Sequence, residues 1–85
     1  MIGLLRRFEH GRRFWRQVRV GGRDECWLWE GAVGADGHGR LAGDRAELRA
    51  YELAAGPVPP AAMVEQRCGE RRCVNPEHLR LRARP

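Results

Sequence analysis

Apolar positions near the start of the chain fall on one helical stripe. Leu4, Phe8, Trp15 and Val18 recur at helical spacing, and Gly11 stands where the next member of the stripe would sit. The pattern predicts one helix, or two short ones broken at Gly11, with residues 13–18 the firmer half. Arg6, Arg7, Arg12, Arg13 and Arg16 then take the faces turned away from the core, and Gly21, Gly22, Arg23 and Asp24 end the unit. The period changes after that. Cys26-Trp27-Leu28-Trp29-Glu30 alternates as a short strand does, and Gly31 to Gly39 is glycine-rich enough to be turn and loop. The Gly43-Asp44 pair suits a tight hairpin turn, which predicts a small two-stranded ribbon. Residues 46–55 are strong helix formers closed by Gly56 and Pro57, so a central helix is expected there. Pro57-Val58-Pro59-Pro60 is a stiff connector, Met63 and Val64 suit a short strand, and the tail from Leu79 is extended.

These elements add up to an α+β chain of 85 residues, one domain over 1–85, with a basic helical segment at 1–23 and a core at 24–81. A domain this small buries too little surface for a generous core and calls for a staple. Three cysteines, an odd number, argue against a complete disulfide framework, although one bridge with a spare thiol remains open. There is no 18-residue apolar run, and Met1-Ile2-Gly3-Leu4-Leu5 meets Arg6 and Arg7 before a signal-peptide core can form. The expectation is a cytoplasmic, reducing location with no membrane partner, which favours metal-bound thiolates over disulfides.

Charge sharpens the picture. The net charge is +5, and all 16 basic residues are Arg. Residues 1–23 hold seven Arg against Glu9, a balance of +6, and residues 24–66 hold three Arg against eight acids, a balance of −5. Residues 67–85 return to +4. Two basic ends flank an acidic middle. Clustered Arg is the electrostatic footprint of a nucleic-acid partner, because guanidinium pairs bidentately with phosphate and binding releases counterions.

Cys68 and Cys73 are followed by His78, with Asn75-Pro76 supplying a turn between the last two. A compact loop of this spacing presents two thiolates and an imidazole to one ion, and tetrahedral zinc requires a fourth ligand. Cys26 is the remaining cysteine and would close the domain across 41 intervening residues. His10 and His38 are alternatives for that fourth position, with Cys26 then a plain buried thiol beside Trp27.

The motifs as a set resemble a known family. Arg13-Phe14-Trp15-Arg16-Gln17-Val18, Cys26-Trp27-Leu28-Trp29-Glu30-Gly31-Ala32, Asp36-Gly37-His38-Gly39-Arg40, Ala50-Tyr51-Glu52-Leu53 and Cys73-Val74-Asn75-Pro76-Glu77-His78-Leu79 follow in order. Together they look like the zinc-loop branch of the HNH, or His-Me finger, endonucleases of phages and homing elements, over roughly residues 12–81. The resemblance implies a truncated ββα-metal fold in which Cys26, Cys68, Cys73 and His78 bind one structural zinc.

The resemblance does not extend to nuclease chemistry. The family's general-base histidine, two residues before the first loop cysteine, is replaced here by Gln66, whose amide has no useful pKa near neutrality. The family's Ala-His-Arg, which brings an arginine to the scissile phosphate, reads Ala46-Glu47-Leu48 here. The family's magnesium-binding asparagine, about nine residues past the zinc histidine, has no counterpart before Pro85. Glu47 and Glu65 as magnesium ligands with His38 as base are the substitutes in sight. Plainer roles suit them better: His10 and His38 as exposed loop side chains, Glu47 as a first-turn helix charge, and Glu65 as a solvated strand edge. Trp15, Trp27, Trp29 and Tyr51 are expected to pack around the metal loop.

The expected function is that of a pseudo-nuclease, catalytically inactive, which binds nucleic acid, DNA above all, with little sequence preference. Arg6, Arg12, Arg13 and Arg16 from the N-terminal segment and Arg71, Arg72, Arg80 and Arg82 from the C-terminal part would carry the contacts. The alternative is a phage-type module or inhibitor that docks on a host protein of nucleic-acid metabolism through the acidic middle. An active magnesium-dependent nuclease stands third.

Overall fold

In the computed structural model, which describes residues 11–85, secondary structure comes in short pieces held together by a few large side chains. The predicted stripe at Leu4 and Phe8, with Arg6, Arg7 and His10, lies outside the described residues. Helix α1, Arg12–Trp15, is a single turn that starts after Gly11. It ends three residues earlier than the stripe predicts. Gln17 N–H bonds the Phe14 carbonyl, which tightens the last turn, and Val18–Arg19 forms strand β1. Valine at 18 and 20 with glycine at 21 and 22 favours that extension over continued helix.

Strand β1 pairs antiparallel with β2, Leu28–Trp29, in the register Val18 opposite Trp29. Trp29 is fully buried and anchors the core. Its ring stacks on Phe14 with centroids 5.0 Å apart, and its indole N–H bonds the Ala32 carbonyl at 2.9 Å. Both Gly31 and Gly39 lie against that ring, so closely that a Cβ at either position would collide with it. The glycine-rich loop therefore wraps an aromatic side chain rather than merely linking two strands.

Strands β3, Arg40–Leu41, and β4, Asp44–Arg45, form the expected hairpin. The turn falls one residue earlier than Gly43-Asp44. Ala42 (φ 52°) and Gly43 (φ 88°) are its central pair, both left-handed as a type I′ turn requires, and Asp44 already pairs with Leu41. Helix α2, Ala46–Ala55, follows directly and stops at Gly56, as its composition predicts. It buries Ala46, Glu47 and Ala50.

Strands β5, Ala62–Gln66, and β6, Leu79–Ala83, make a five-residue antiparallel ribbon running from Ala62 opposite Ala83 to Gln66 opposite Leu79. Val64 and Leu79 face the core, with Phe14, Val18, Trp29, Ala46, Ala50 and Val74. Trp15, Trp27 and Tyr51 pack against it partly buried. The result is a small mixed α/β domain. Among the described residues no helix is long and apolar enough to cross a membrane.

Candidate metal centre

The ribbon delivers the site. Residues 67–78 connect its two strands, and Arg67 N–H to the His78 carbonyl, at 2.6 Å, closes this connection into a loop. The loop's second half docks along β2: Val74 N–H bonds the Trp27 carbonyl at 2.8 Å and Trp29 N–H bonds the Arg72 carbonyl at 2.9 Å. Cys26 precedes β2 and is thereby set beside the loop.

Asn75 locks the arrangement. It is fully buried; its Nδ2 donates to the carbonyls of Arg23 (2.9 Å) and Glu25 (2.7 Å), and its Oδ1 accepts from Glu77 N–H (2.9 Å). The first two bonds hold the segment that carries Cys26. The third caps the short 3-10 turn Pro76–His78, which aims the imidazole. One amide thus ties the remote ligand to the local ones.

Cys26, Cys68, Cys73 and His78 meet with their ligand atoms all within 4.8 Å of one another. Cys26 Sγ lies 3.7 Å from Cys68 Sγ and 3.7 Å from His78 Nδ1, and Cys73 Sγ lies 3.4 Å from the same nitrogen. A tetrahedral ion with bonds of ~2.3 Å to sulfur and ~2.0 Å to nitrogen sets edges of roughly 3.5–3.8 Å. The three donor distances fall near those edges, and the remaining donor pairs lie within 4.8 Å. A disulfide needs ~2.05 Å, so the sulfurs stand as separate thiols in this geometry. The four groups are compatible with one bound metal ion, and His38 takes no part.

The donors differ in exposure: Cys73 is fully buried, Cys26 and His78 are half-buried, and Cys68 is exposed. Burial pushes the Cys73 thiol up to about 12, against backbone hydrogen bonds from Asn75 and Trp27 that favour its thiolate. Burial also raises Cys26, assisted by the neighbouring Cys68 and Glu70. Without a cation these thiols keep their protons, so metal binding and proton release are coupled.

Gln66, where the family resemblance would place a base, has a structural task. Its Nε2 donates to the carbonyls of Arg71 (3.1 Å) and Cys73 (3.4 Å), pegging the loop to the ribbon end. Leu48 packs against the core. His38 and Glu47 depart from the expected exposed roles. Glu47 is 1% exposed, and its Oε2 lies 2.8 Å from His38 Nδ1 in a side chain only 14% exposed. The approach is close but off the axis of a good ring N–H hydrogen bond, and neither carboxylate oxygen has another partner among the described residues. The two residues are nine apart, on either side of the β3–β4 hairpin, so no local pattern announces the pair. Glu65 is likewise no bare edge: Arg80 (2.6 Å) and Arg82 (3.2 Å) both bond it and hold its carboxyl below the usual range.

Asp36 is a hub not anticipated from its position in a glycine-rich stretch. Its Oδ1 accepts from His38 N–H, its Oδ2 from Arg40 (2.8 Å) and Arg45 (3.1 Å), and its carbonyl from Arg71 (2.9 Å). The Asp-Gly step, a turn former whose carboxylate reaches the amide two residues on, was the available signal.

The expected nucleic-acid contacts divide. Arg12, Arg13 and Arg16 are exposed and form no ion pair among the described residues, as do Arg23 and Arg67. Arg71 is exposed within the loop and donates to the Asp36 carbonyl. Arg72 is built into the fold, both Nε and Nη2 donating to the Trp29 carbonyl at 3.1 and 2.9 Å. Arg80 and Arg82 share Glu65, and Arg6 lies outside the described residues. A cleft of about 330 Å³ between hairpin, α2 and β5 is lined by Arg40 and Arg45, both already engaged by Asp36.

Compared with known proteins, the chain matches no family model, no curated relative and no solved structure. The likeness to zinc-loop nucleases rests on its motifs.

Proposed function

We propose that this chain is a zinc-stapled nucleic-acid-binding module, DNA being its preferred partner, that grips phosphate through arginine and does not cleave. Three thiolates and an imidazole gathered within 4.8 Å of one another are the donor set of a closed structural zinc site, in which the ion holds the fold and leaves no position for substrate. Gln66 offers no proton-accepting group at the place where the resembled nucleases keep theirs.

The observation that carries the binding proposal is how the charges are shared out. Five of the eight acids in the 24–66 stretch have an arginine partner within the molecule: Glu30 with Arg19, Asp36 with Arg40 and Arg45, Asp44 and Glu52 with Arg49, and Glu65 with Arg80 and Arg82. The acidic middle is largely neutralised from within, which removes the motive for a protein partner docking there. Arg12, Arg13, Arg16, Arg23 and Arg67 remain exposed without carboxylate partners among the described residues. Unpaired guanidinium supplies sequence-independent affinity for phosphate.

Fluorescence anisotropy of a short labelled duplex at low and physiological salt, on protein of measured metal content, tests this. Salt-sensitive binding by protein holding one zinc per chain is expected. Binding that does not change with salt, or none at low salt with the fold intact, overturns it.

A further inference from the structure

The three sulfurs of the metal cluster are not equivalent. Cys73 is fully buried and receives backbone hydrogen bonds. Cys68 is exposed, and its Sγ stands 3.7 Å from that of the half-buried Cys26. An oxidant arriving from solvent therefore meets Cys68 first, with a second sulfur already close by. Contraction by roughly 1.7 Å would bring the two to bonding distance.

We propose that Cys68 is a modification site for small hydroperoxides, with Cys26 as its resolving thiol, so that oxidation exchanges the metal closure for a Cys26–Cys68 disulfide. This rests on the metal reading above. The Cys68 thiolate attacks the peroxide, the O–O bond breaks, and Cys68 becomes a sulfenic acid as hydroxide or alkoxide leaves. The Cys26 thiolate then attacks that sulfur; the S–S bond forms, the S–O bond breaks and a second hydroxide departs. Two protons from solvent convert the leaving groups to water, or to water and an alcohol, and the two electrons taken up by the peroxide come from the two sulfurs. The ion, left with Cys73 and His78 alone, dissociates.

The exchange keeps what the metal provided. Both closures join the same two segments across 41 intervening residues, so the oxidised chain retains its long-range link while losing the ion.

The experiment treats metal-loaded full chain with hydrogen peroxide, follows zinc release with a chromogenic chelator, and maps thiols by alkylation before and after unfolding. Expected are release of one zinc per chain, a product lighter by two hydrogens, a fragment linking Cys26 to Cys68, and a Cys73 that alkylates only after unfolding. A disulfide that includes Cys73, or over-oxidised Cys68 with Cys26 still a thiol, overturns the proposal. The Cys26→Ser variant should accumulate a dimedone-reactive sulfenic acid at Cys68; labelling at Cys73 instead would also overturn it, and this readout does not depend on the variant holding its metal. Protein that contains no metal as purified sinks the zinc reading separately, since disulfide mapping still reports on Cys26 and Cys68.

Discussion

Glu47 Oε2 lies 2.8 Å from His38 Nδ1 in the interior of the domain, joining the second residue of α2 to the loop that wraps Trp29. Removing one member of a buried polar pair leaves the other without its neighbour, at a cost of about 1–3 kcal/mol. Glu47→Ala and His38→Ala are each expected to lower unfolding free energy by that order in urea titrations of the metal-loaded protein. A combined Glu47→Met and His38→Phe change, which fills the volume with apolar groups, should recover most of the loss. Additive single-variant losses in the combined variant would show that the two side chains do not act as a pair.

The Asp36 carboxyl is held below its ordinary value, first by the His38 N–H and then by Arg40 and Arg45. A value lower in the folded than in the unfolded chain stabilises the fold above the unfolded value, and that contribution is lost as pH falls through the folded one. Asp36→Asn should therefore make stability less steep in pH below about 4, and leave the variant uniformly weaker at neutrality. Protonation of the metal ligands affects both proteins alike, so the comparison isolates Asp36. Unfolding midpoints that run parallel from pH 3 to 7 would refute the assignment.

Removal of the metal should unfold the chain. A core of this size, with Trp29 its one fully buried aromatic among the described residues, leaves little margin, whereas structural zinc supplies about 10–16 kcal/mol of apparent binding free energy near neutrality. Far-ultraviolet circular dichroism after chelation should show loss of structure that returns on adding zinc. A chelated protein with an unchanged spectrum and melting point would show that the four ligands do not staple the fold.

Asn75→Ala should weaken both fold and metal affinity. It strands two carbonyls and one N–H, and one buried polar group left without its partner costs about 1–3 kcal/mol. Competition with a chelator of known affinity should show metal held less tightly in the variant while all four ligands remain.

The arginines can be separated by salt dependence. Arg12, Arg13 and Arg16 changed together to Ala should lower the slope of log affinity against log salt by about 2–3, near 0.9 for each phosphate that is no longer neutralised. Arg80→Ala or Arg82→Ala should change it less, because Glu65 already holds both guanidinium groups. Equal slopes for the triple variant and the parent would remove α1 from the interface.

What could be read from the chain was what local chemistry encodes. The limits of α2 follow from a run of helix formers ended by Gly56, and the metal loop follows from the spacing of Cys68, Cys73 and His78. Position 26 entered as the one cysteine left for a fourth ligand, with His10 and His38 as alternatives, and the resemblance carried by Cys26-Trp27-Leu28-Trp29 favoured it. The hairpin turn slipped by one residue because Ala42 accepts a left-handed conformation that its side chain does not advertise. The end of α1 was misplaced because Val18 meets the same core in a strand as it would in a helix. The Glu47–His38 pair and the Gln66 peg could not be read at all, and of the Asp36 hub only the local bond to His38 N–H had a signal, in the Asp-Gly step. Each depends on segments brought together by the fold, and side chains of that kind look solvated when considered one at a time.

Three of the four ligands lie inside the loop that Arg67 and His78 seal, and only Cys26 comes from far away in the chain. Short-range contacts form faster than distant ones, so the loop is expected to gather its ion before β2 docks on it. During synthesis, however, Trp27 and Trp29 leave the ribosome long before Cys73, Val74 and strand β6 exist to cover them. The core around Trp29 is therefore expected to close only once strand β6 has been made and can pair with β5.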